Sequence, residues 1–283
     1  MSATIVKTSY GKVQGEKIGE VYAWKGIPYA KPPLGRLRFH PPQKLEAWEG
    51  IRDAKEYGPV SPQTSSVIMN LLGNNIENMN EDCLYLNVWS KGTDQKRRPV
   101  MVWIHGGAFI SGSGSSPWYD GESFAAKGDV VVVTINYRLG ALGFLHLGEI
   151  GDEEFATSGN CGILDQVAAL QWVKENIASF GGDPDRITIF GESAGAMSIG
   201  VLLGLPAAKG LFHQAILQSG AAKNALPAAK ATKMAERFLA LLGVDVSNLA
   251  KLQDIPIDQI LKAQALLPPM GFQPVIDGIC LPK

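Results

Sequence analysis

Short apolar runs alternate with one strongly periodic segment in the middle of the chain. Continuous apolar runs at residues 100–104, 130–136 and 187–190 are typical of strands buried on both faces. Apolar residues in 164–179 recur every three or four positions, and Gly181 and Gly182 predict the end of that helix. A buried strand, a helix and another buried strand in this order predict an α/β fold with a parallel sheet and helices over its faces.

The two ends of the chain have weaker patterns. Further short β-like runs lie at 5–9, 20–24, 84–89 and 215–218. Glycine and proline separate the runs in the first 45 residues, which predicts a small antiparallel meander there. From about residue 228 the pattern is mostly helical and is interrupted by Pro256 and by Pro268. We therefore expect residues 1–283 to form a single domain in which a helical layer leans over the sheet edge.

Composition and charge exclude several classes of partner. The chain has 26 Lys and Arg residues against 27 Asp and Glu, so no basic surface is expected for nucleic acid or an anionic membrane. No apolar stretch reaches the roughly 20 residues that span a bilayer, and residues 1–10 lack the pattern of a secretion signal. Three cysteines without metal-ligand spacing fit reduced thiols. These features predict a cytoplasmic protein with a small, weakly charged ligand and no metal.

A nucleophile is predicted in the segment Gly191-Glu192-Ser193-Ala194-Gly195, which has the pattern G-x-S-x-G. The segment follows a predicted strand and opens a helix of small residues, so the serine lies on a sharp and strained turn. Glycine on either side avoids collisions with the neighbouring strand and helix. The turn raises the Ser193 hydroxyl above the sheet, next to the backbone N–H of Ala194. The alternative is an ordinary glycine-rich turn, which the string alone does not exclude.

An oxyanion hole is predicted at His105-Gly106-Gly107-Ala108, directly after the strand at 100–104. Ester hydrolysis builds negative charge on the carbonyl oxygen, and each preorganised N–H donor lowers the barrier by about 3 kcal/mol. Small residues let the backbone approach the substrate, and the H-G-G-x pattern is typical of lipases and esterases. A flexible glycine turn is the alternative. Two such motifs in this order favour an acyl-transfer site.

The sequence resembles the type-B carboxylesterase family, which includes the cholinesterases and the bacterial para-nitrobenzyl esterases. The resemblance covers the whole chain and rests on the segments 24–30, 81–87, 136–138, 180–184, 191–195 and 218–220. It implies the α/β-hydrolase fold and cleavage of small carboxylic esters without a cofactor. It also implies a role for each site residue: Ser193 as the nucleophile, Gly107, Ala108 and Ala194 as oxyanion donors, Gly106 as the residue that shapes the loop, and Glu192 and Ser219 as supports of the active-site hydrogen bonds.

The resemblance also concerns the scaffold. It implies ion pairs of Arg38 with Glu81 and of Arg138 with Asp165, which hold the fold rather than perform chemistry. Cholinesterase-like members pair the cysteine matching Cys83 with an upstream cysteine, but no cysteine precedes Cys83 in this chain. Ser61 lies where many relatives have one. We therefore expect Cys83 to be a free thiol.

The catalytic triad is incomplete in this sequence. In this fold the acid and the histidine follow the serine, yet His213 is the only later histidine and no Asp or Glu lies between the two. We expect the chain to be an N-terminal portion whose acid and histidine lie in a C-terminal half, a possible partner. The chain alone is then inactive. A non-catalytic scaffold of the same fold is the rival hypothesis for the complete protein.

Aromatic residues flank the glycine loop. Phe109, Trp118 and Tyr119 are interpreted either as walls of an apolar substrate pocket or as residues that pack the loop against the sheet. The sequence leaves these two interpretations open. The tryptophans at 48, 89 and 172 are predicted to lie in the core.

Overall fold

The computed structural model describes residues 3–64, 78–221, 223–268 and 270–282. Its strands are β1 (Ile5–Lys7), β2 (Lys12–Gln14), β3 (Glu16–Ile18), β4 (Val21–Pro28), β5 (Ile51–Asp53), β6 (Tyr85–Ser90), β7 (Arg98–Ile104), β8 (Val131–Ile135), β9 (Gly182–Glu192), β10 (Gln214–Gln218), β11 (Leu226–Pro227) and β12 (Val275–Ile276). Its α-helices are α1 (Glu122–Gly128), α2 (Gly140–Phe144), α3 (Cys161–Asn176), α4 (Ala194–Gly204), α5 (Ala228–Leu242) and α6 (Ile257–Ala265).

A seven-stranded sheet lies at the centre of the described residues, in the order β10-β9-β7-β8-β6-β4-β3. Strands β10, β9, β7 and β8 are parallel to one another, which confirms the parallel arrangement predicted from the buried apolar runs. Strand β8 is buried at all five positions, as a central strand covered on both faces must be. Strands β6, β4 and β3 extend the sheet in antiparallel order.

The N-terminal strands do not form the predicted meander. Strand β1 pairs with β2 antiparallel, but β2 also pairs with β5 in parallel. Strands β3 and β4 instead join the large sheet through β6. The prediction was wrong because short runs separated by glycine and proline do not specify which strand they pair with. Strand β4 is buried on both faces, with Trp24 and Ile27 in the main core and Val21 and Ala23 in a second apolar cluster.

Helix α3 is confirmed, but its buried face differs from the predicted apolar stripe. Leu164 and Val167 are only half-buried, whereas Asp165 and Gln166 are fully buried. The helix packs against α2 and α4 as well as the sheet, so both sides of it face protein. The buried polar side chains have partners: the Gln166 amide donates to Ser198 Oγ at 3.1 Å, and Asp165 binds Arg138.

Both ion pairs implied by the resemblance are formed. Asp165 accepts from Arg138 Nη2 at 2.7 Å, and both side chains are almost completely buried. Arg38 binds Glu81 and also donates to the carbonyl oxygens of Leu252 and Ile255, at 2.8 and 2.7 Å. Arg38 therefore joins the N-terminal region to the C-terminal helical layer.

The helical layer after residue 228 packs on the main core. Phe238 and Ile260 from its α-helices and Leu252 from a 3₁₀ segment, Val246–Gln253, are fully buried in that core. Strand β12 is held by the side chain of Asn160, which donates to Val275 O at 2.8 Å and accepts from Val275 N at 2.9 Å. The Asn160 side chain thus makes the two backbone hydrogen bonds that a second neighbouring strand would otherwise make with Val275.

The two faces of the sheet are covered unequally. Helices α3 and α4 cover one face, and α1 covers part of the other face over β4, β6 and β8. A cavity of about 390 Å³ remains on that second face, toward β9 and β10. It is lined mainly by apolar side chains, including Met101, Trp103, Phe190 and Ile216. The β10 end of the sheet therefore has an exposed apolar face.

Candidate active site

The predicted strained turn is present at Ser193, between β9 and α4. Its backbone has φ 52° and ψ −120°, a left-handed conformation that costs energy for a residue with a side chain. Glycine is required on either side of this turn because a side chain there would collide with the backbone, as predicted. A Cβ on Gly191 would lie 2.6 Å from Ile104 O, and one on Gly195 would lie 2.0 Å from the same oxygen.

The end of β10 supports this turn. The Ser193 N–H donates to Gln218 O at 2.9 Å, and a Cβ on Gly220 would lie 2.6 Å from Ser193 O. The turn is therefore held on one side by β7, through Ile104, and on the other by β10. Ser193 itself is half-buried, so its side chain is accessible.

The glycine loop after β7 packs directly on the nucleophile turn. A Cβ on Gly106 would lie 2.7 Å from Glu192 O and 3.2 Å from Ser193 Cβ. Gly107 and Ala108 both have positive φ, at 112° and 55°. The structure thus brings the two predicted motifs together, although 85 residues separate Ala108 from Ser193 in the sequence.

Three backbone N–H groups are free at this junction. In the described residues, the N–H groups of Gly107, Ala108 and Ala194 donate to no protein acceptor. The loop carbonyl of Gly107, in contrast, accepts from Ile110 N and Ser111 N, both at 3.0 Å. Ala194 begins α4, so its amide lies at the positive end of a helix. Free amides of this kind are suited to binding an anion.

The side chain of His105, the first residue of the glycine loop, is buried and packs against other residues of the scaffold. Its ring is stacked on Tyr137, with the ring centroids 4.4 Å apart, and Nδ1 lies 2.8 Å from Gly106 O. Tyr137 Oη donates to His105 O at 2.8 Å. Burial lowers the pKa of His105 to about 4, so the ring is neutral near pH 7.

None of the four histidines hydrogen-bonds to Ser193, and all four lie within the described residues. His40 Nδ1 lies 3.0 Å from Glu154 O, and His213 Nδ1 accepts from Ile187 N at 3.1 Å. His146 is buried, and its two ring nitrogens have no hydrogen-bond partner among the described residues. His213 is therefore bonded to the backbone of β9.

The two predicted supporting residues differ in their contacts. Glu192 Oε2 would lie 3.0 Å from a Cβ on Gly106, so this carboxylate lies against the glycine loop. The pKa of Tyr119 is raised, mainly because the hydroxyl is buried and to a smaller extent because the negative charge of Glu192 is nearby. Ser219 is exposed, has φ 58° and makes no hydrogen bond to another described residue. Its supporting role remains a prediction.

The aromatic residues near the loop have different roles in packing. Phe109 is fully buried against Phe144, so it packs the loop onto the core. Trp118 and Tyr119 instead line the cavity near β10, and the Tyr119 ring contacts that of Trp103 at a tilt of 46°, with the ring centroids 4.8 Å apart. Elsewhere, the tryptophans at 89 and 172 are buried as predicted, whereas the tryptophan at 48 is only partly buried.

Gln63 is a buried polar residue at the site that the sequence analysis did not identify. Its side chain bonds to the backbone of Gly112, 49 residues away, next to the glycine loop. Asn136 similarly accepts from Gly114 N at 2.8 Å. No local sequence pattern identifies Gln63, because its amide side chain acts only through a hydrogen-bond partner that is distant in sequence.

The cysteines and acidic groups show no metal centre in the described residues, where no three candidate ligands are grouped together. Cys83, Cys161 and Cys280 are all free thiols. Burial raises the pKa of Cys161 to about 11 and that of Cys280 to about 12. Among these residues, no helix combines the length and apolar character needed to cross a membrane.

Comparison with known proteins shows the family of this chain. The family model described as "Carboxylesterase family" matches residues 2–283. The para-nitrobenzyl esterase of Bacillus subtilis is 49% identical over all of this chain, which covers 58% of that protein. The liver carboxylesterase of Sus scrofa is 42% identical, with 54% of it covered.

Solved structures give the same result. A carboxylesterase from Geobacillus stearothermophilus superposes with a TM-score of 0.93 at 54% identity, over 99% of this chain and 57% of that one. A structure of para-nitrobenzyl esterase gives a TM-score of 0.92 at 49% identity, over 100% and 59% of the two chains. The chain spans little more than half the length of these relatives, and its fold is that of the α/β-hydrolases. On its sequence and structure, the chain belongs to the carboxylesterase family.

Proposed function

We propose that this protein hydrolyses carboxylic esters through an acyl-enzyme formed on Ser193. The observation that carries the proposal is the junction of the two turns, where Gly106 packs on Ser193 and three amides are free. Those amides, of Gly107, Ala108 and Ala194, bind the carbonyl oxygen as it becomes an anion. The alternative of a non-catalytic scaffold has less support, because the serine and the amides are both present.

The reaction takes place in two steps. Ser193 Oγ attacks the ester carbonyl carbon while a histidine takes its proton, and the alcohol leaves with that proton. Water, activated by the same histidine, then attacks the acyl group, which leaves as a carboxylic acid and restores the serine. These steps use a hydroxyl, amides, an imidazole and a carboxylate, so they require no cofactor.

We propose that the histidine and its acid come from a C-terminal half of the enzyme, since no histidine of this chain bonds to Ser193. The surface suited to that half is the β10 end of the sheet. Among the described residues, strand β10 pairs with a neighbour on one side only, and Ile216 is 45% exposed beside the cavity of about 390 Å³. Unpaired strand edges readily pair with a further strand.

The substrate is proposed to be a small ester. The names of the relatives include para-nitrobenzyl esterase, fumonisin B1 esterase and medium-chain fatty acyl-CoA hydrolase, so relatives act on thioesters as well as on oxygen esters. The three free thiols support a reducing compartment such as the cytoplasm.

The test uses the complete enzyme and a fluorophosphonate probe, which labels an activated serine. The variant S193A should lose labelling entirely and lower kcat by on the order of 10⁶-fold. Ser198 provides a matched control, because it is a buried serine on the same helix, and S198A should still be labelled. Labelling of S193A would place the nucleophile elsewhere. The isolated 283-residue chain should show negligible turnover of para-nitrophenyl acetate, because it lacks a proton acceptor.

A further inference from the structure

The side chain of Gln63 forms two hydrogen bonds with the backbone of a single residue, one with the N–H and one with the carbonyl of Gly112. Gln63 Oε1 accepts from Gly112 N at 2.7 Å, and Nε2 donates to Gly112 O at 2.9 Å. Nε2 also donates to Ser61 O at 3.0 Å, so both of its N–H groups are used. Gln63 is 1% exposed. Such a buried and fully satisfied amide holds its partner in one position.

Gly112 lies against the residues that begin the oxyanion loop. It has φ 106°, and a Cβ on it would lie 2.5 Å from both Gly106 O and His105 Nδ1. The backbone of Gly112 is therefore in close contact with Gly106, which in turn packs on Ser193. A shift of Gly112 would be transmitted to Gly106 and to the amide that follows it.

The loop needs such an anchor because glycine is conformationally permissive. Residues 106, 107, 112 and 114 are glycines, and positive φ values recur from Gly107 to Gly112. Two other anchors also hold the loop: Gly114 N donates to Asn136 Oδ1 at 2.8 Å, and Phe109 O accepts from Gly140 N at 2.7 Å. Gln63 is the anchor that bonds to both the N–H and the carbonyl of one loop residue.

We propose that Gln63 is a positioning residue for the oxyanion hole: by fixing Gly112 it holds the N–H groups of Gly107 and Ala108 in the direction of the developing oxyanion. This inference rests on the proposed function. Because the amides act mainly on the transition state, replacing Gln63 should lower kcat more than it raises KM. Gln63 itself touches no reacting atom.

The test compares Q63M with wild type in the complete enzyme. Methionine keeps the length of the side chain and removes its three hydrogen bonds. The expected result is a kcat for para-nitrophenyl acetate about 10- to 100-fold lower, with KM changed by less than about 3-fold, a smaller loss than complete removal of a donor. Affinity for a trifluoromethyl ketone, which forms a tetrahedral oxyanion on the serine, should fall by the same factor as kcat/KM.

Gln273 provides the matched control. It is also a buried glutamine, and its Nε2 donates to one backbone carbonyl, that of Met270, in the C-terminal helical layer. The variant Q273M should lose stability without the change in kcat and in ketone affinity. A purely structural role for Gln63 predicts that Q63M and Q273M behave alike, which would overturn the proposal.

Active-site titration separates folding from catalysis. Each kcat is divided by the concentration of sites that release para-nitrophenol stoichiometrically from an organophosphate, so unfolded protein does not count. If Q63M does not fold, Q63A carries the same test, and a wild-type kcat per site in either variant overturns the inference. Turnover or labelling in S193A would instead overturn the proposed function. An inert S193A with a wild-type-like Q63M would remove only the role of Gln63.

Discussion

The centre of the sheet and its β10 edge consist of similar parallel strands, yet their surroundings differ. Strand β7 is paired on both sides, and the loop after it is anchored by Tyr137 and Gln63. Strand β10 is paired on one side, and Ile216 on it is 45% exposed. The groups that receive negative charge are thus supported from the centre, whereas the side from which we propose that a histidine approaches is open. Three predictions test this difference.

The largest effect is expected where the centre depends on a buried ion pair. The variant D165A leaves the Arg138 guanidinium buried without its partner and should lower the free energy of unfolding by about 3–5 kcal/mol. Replacing both charges, as in R138M/D165L, should restore most of that loss, because apolar side chains need no charged partner. Chemical denaturation measures both values.

An exposed ion pair provides the control for that experiment. Asp258 and Lys262 on α6 lie 2.9 Å apart, and their side chains are 61% and 78% exposed. Solvent screens such a pair, so D258A should leave the denaturation midpoint unchanged. Equal effects of D165A and D258A would contradict the distinction between the centre and the surface.

An intermediate effect is expected from pH, through His105 at the centre. Burial lowers the pKa of His105 to about 4 from its usual 6.5, so the unfolded chain binds this proton at a higher pH than the folded protein does. Stability is therefore fully present above about pH 6.5 and falls as the pH decreases toward 4. Between pH 7.5 and 5 the contribution of His105 to this loss should be about 2 kcal/mol.

The variant H105F isolates that contribution. Phenylalanine keeps a ring beside Tyr137 and cannot bind a proton, so the difference in unfolding free energy between H105F and wild type should change by that amount over the same pH range. Urea denaturation at several pH values gives the measurement. A difference that stays constant from pH 7.5 to 5 would show that His105 accepts a proton in the folded protein as readily as in the unfolded one.

The smallest effect on stability is expected at the edge. In the isolated chain, I216K places a charge on the exposed apolar face of β10 and should reduce self-association, while the free energy of unfolding changes by less than about 0.5 kcal/mol. Leu241 on α5 is 46% exposed and lies away from the edge, so L241K should leave association unchanged. Sedimentation velocity distinguishes the two. Equal association of wild type and I216K would exclude this face as the interacting surface.

Local patterns were sufficient for much of the fold and of the site. The apolar runs identified β7, β8 and β9, and the periodic segment identified α3. The glycines around Ser193 identified the turn, because the steric demand of a strand-to-helix junction is local. For the same reason the H-G-G-A segment identified the glycine loop, and the resemblance identified both buried ion pairs.

Long-range pairing was not accessible in this way. The position of β6 beside β8, the separation of β2 from β3 into different sheets and the burial of Gln166 depend on neighbours far along the chain. Whether Phe109 packs a loop or lines a pocket likewise depended on Phe144. Apolar character predicts burial, but it does not say against what.

The sequence by itself determined the chemical groups of the site and the family. These groups are a serine on a strained turn and the backbone amides of a loop of small residues. These follow from local sterics, in which a few adjacent residues dictate the backbone. Only the tertiary structure decided how the loop is held, because the N–H and the carbonyl of Gly112 are both bonded to an amide side chain 49 residues earlier. Hydrogen bonds between distant segments form only once the core has brought them together.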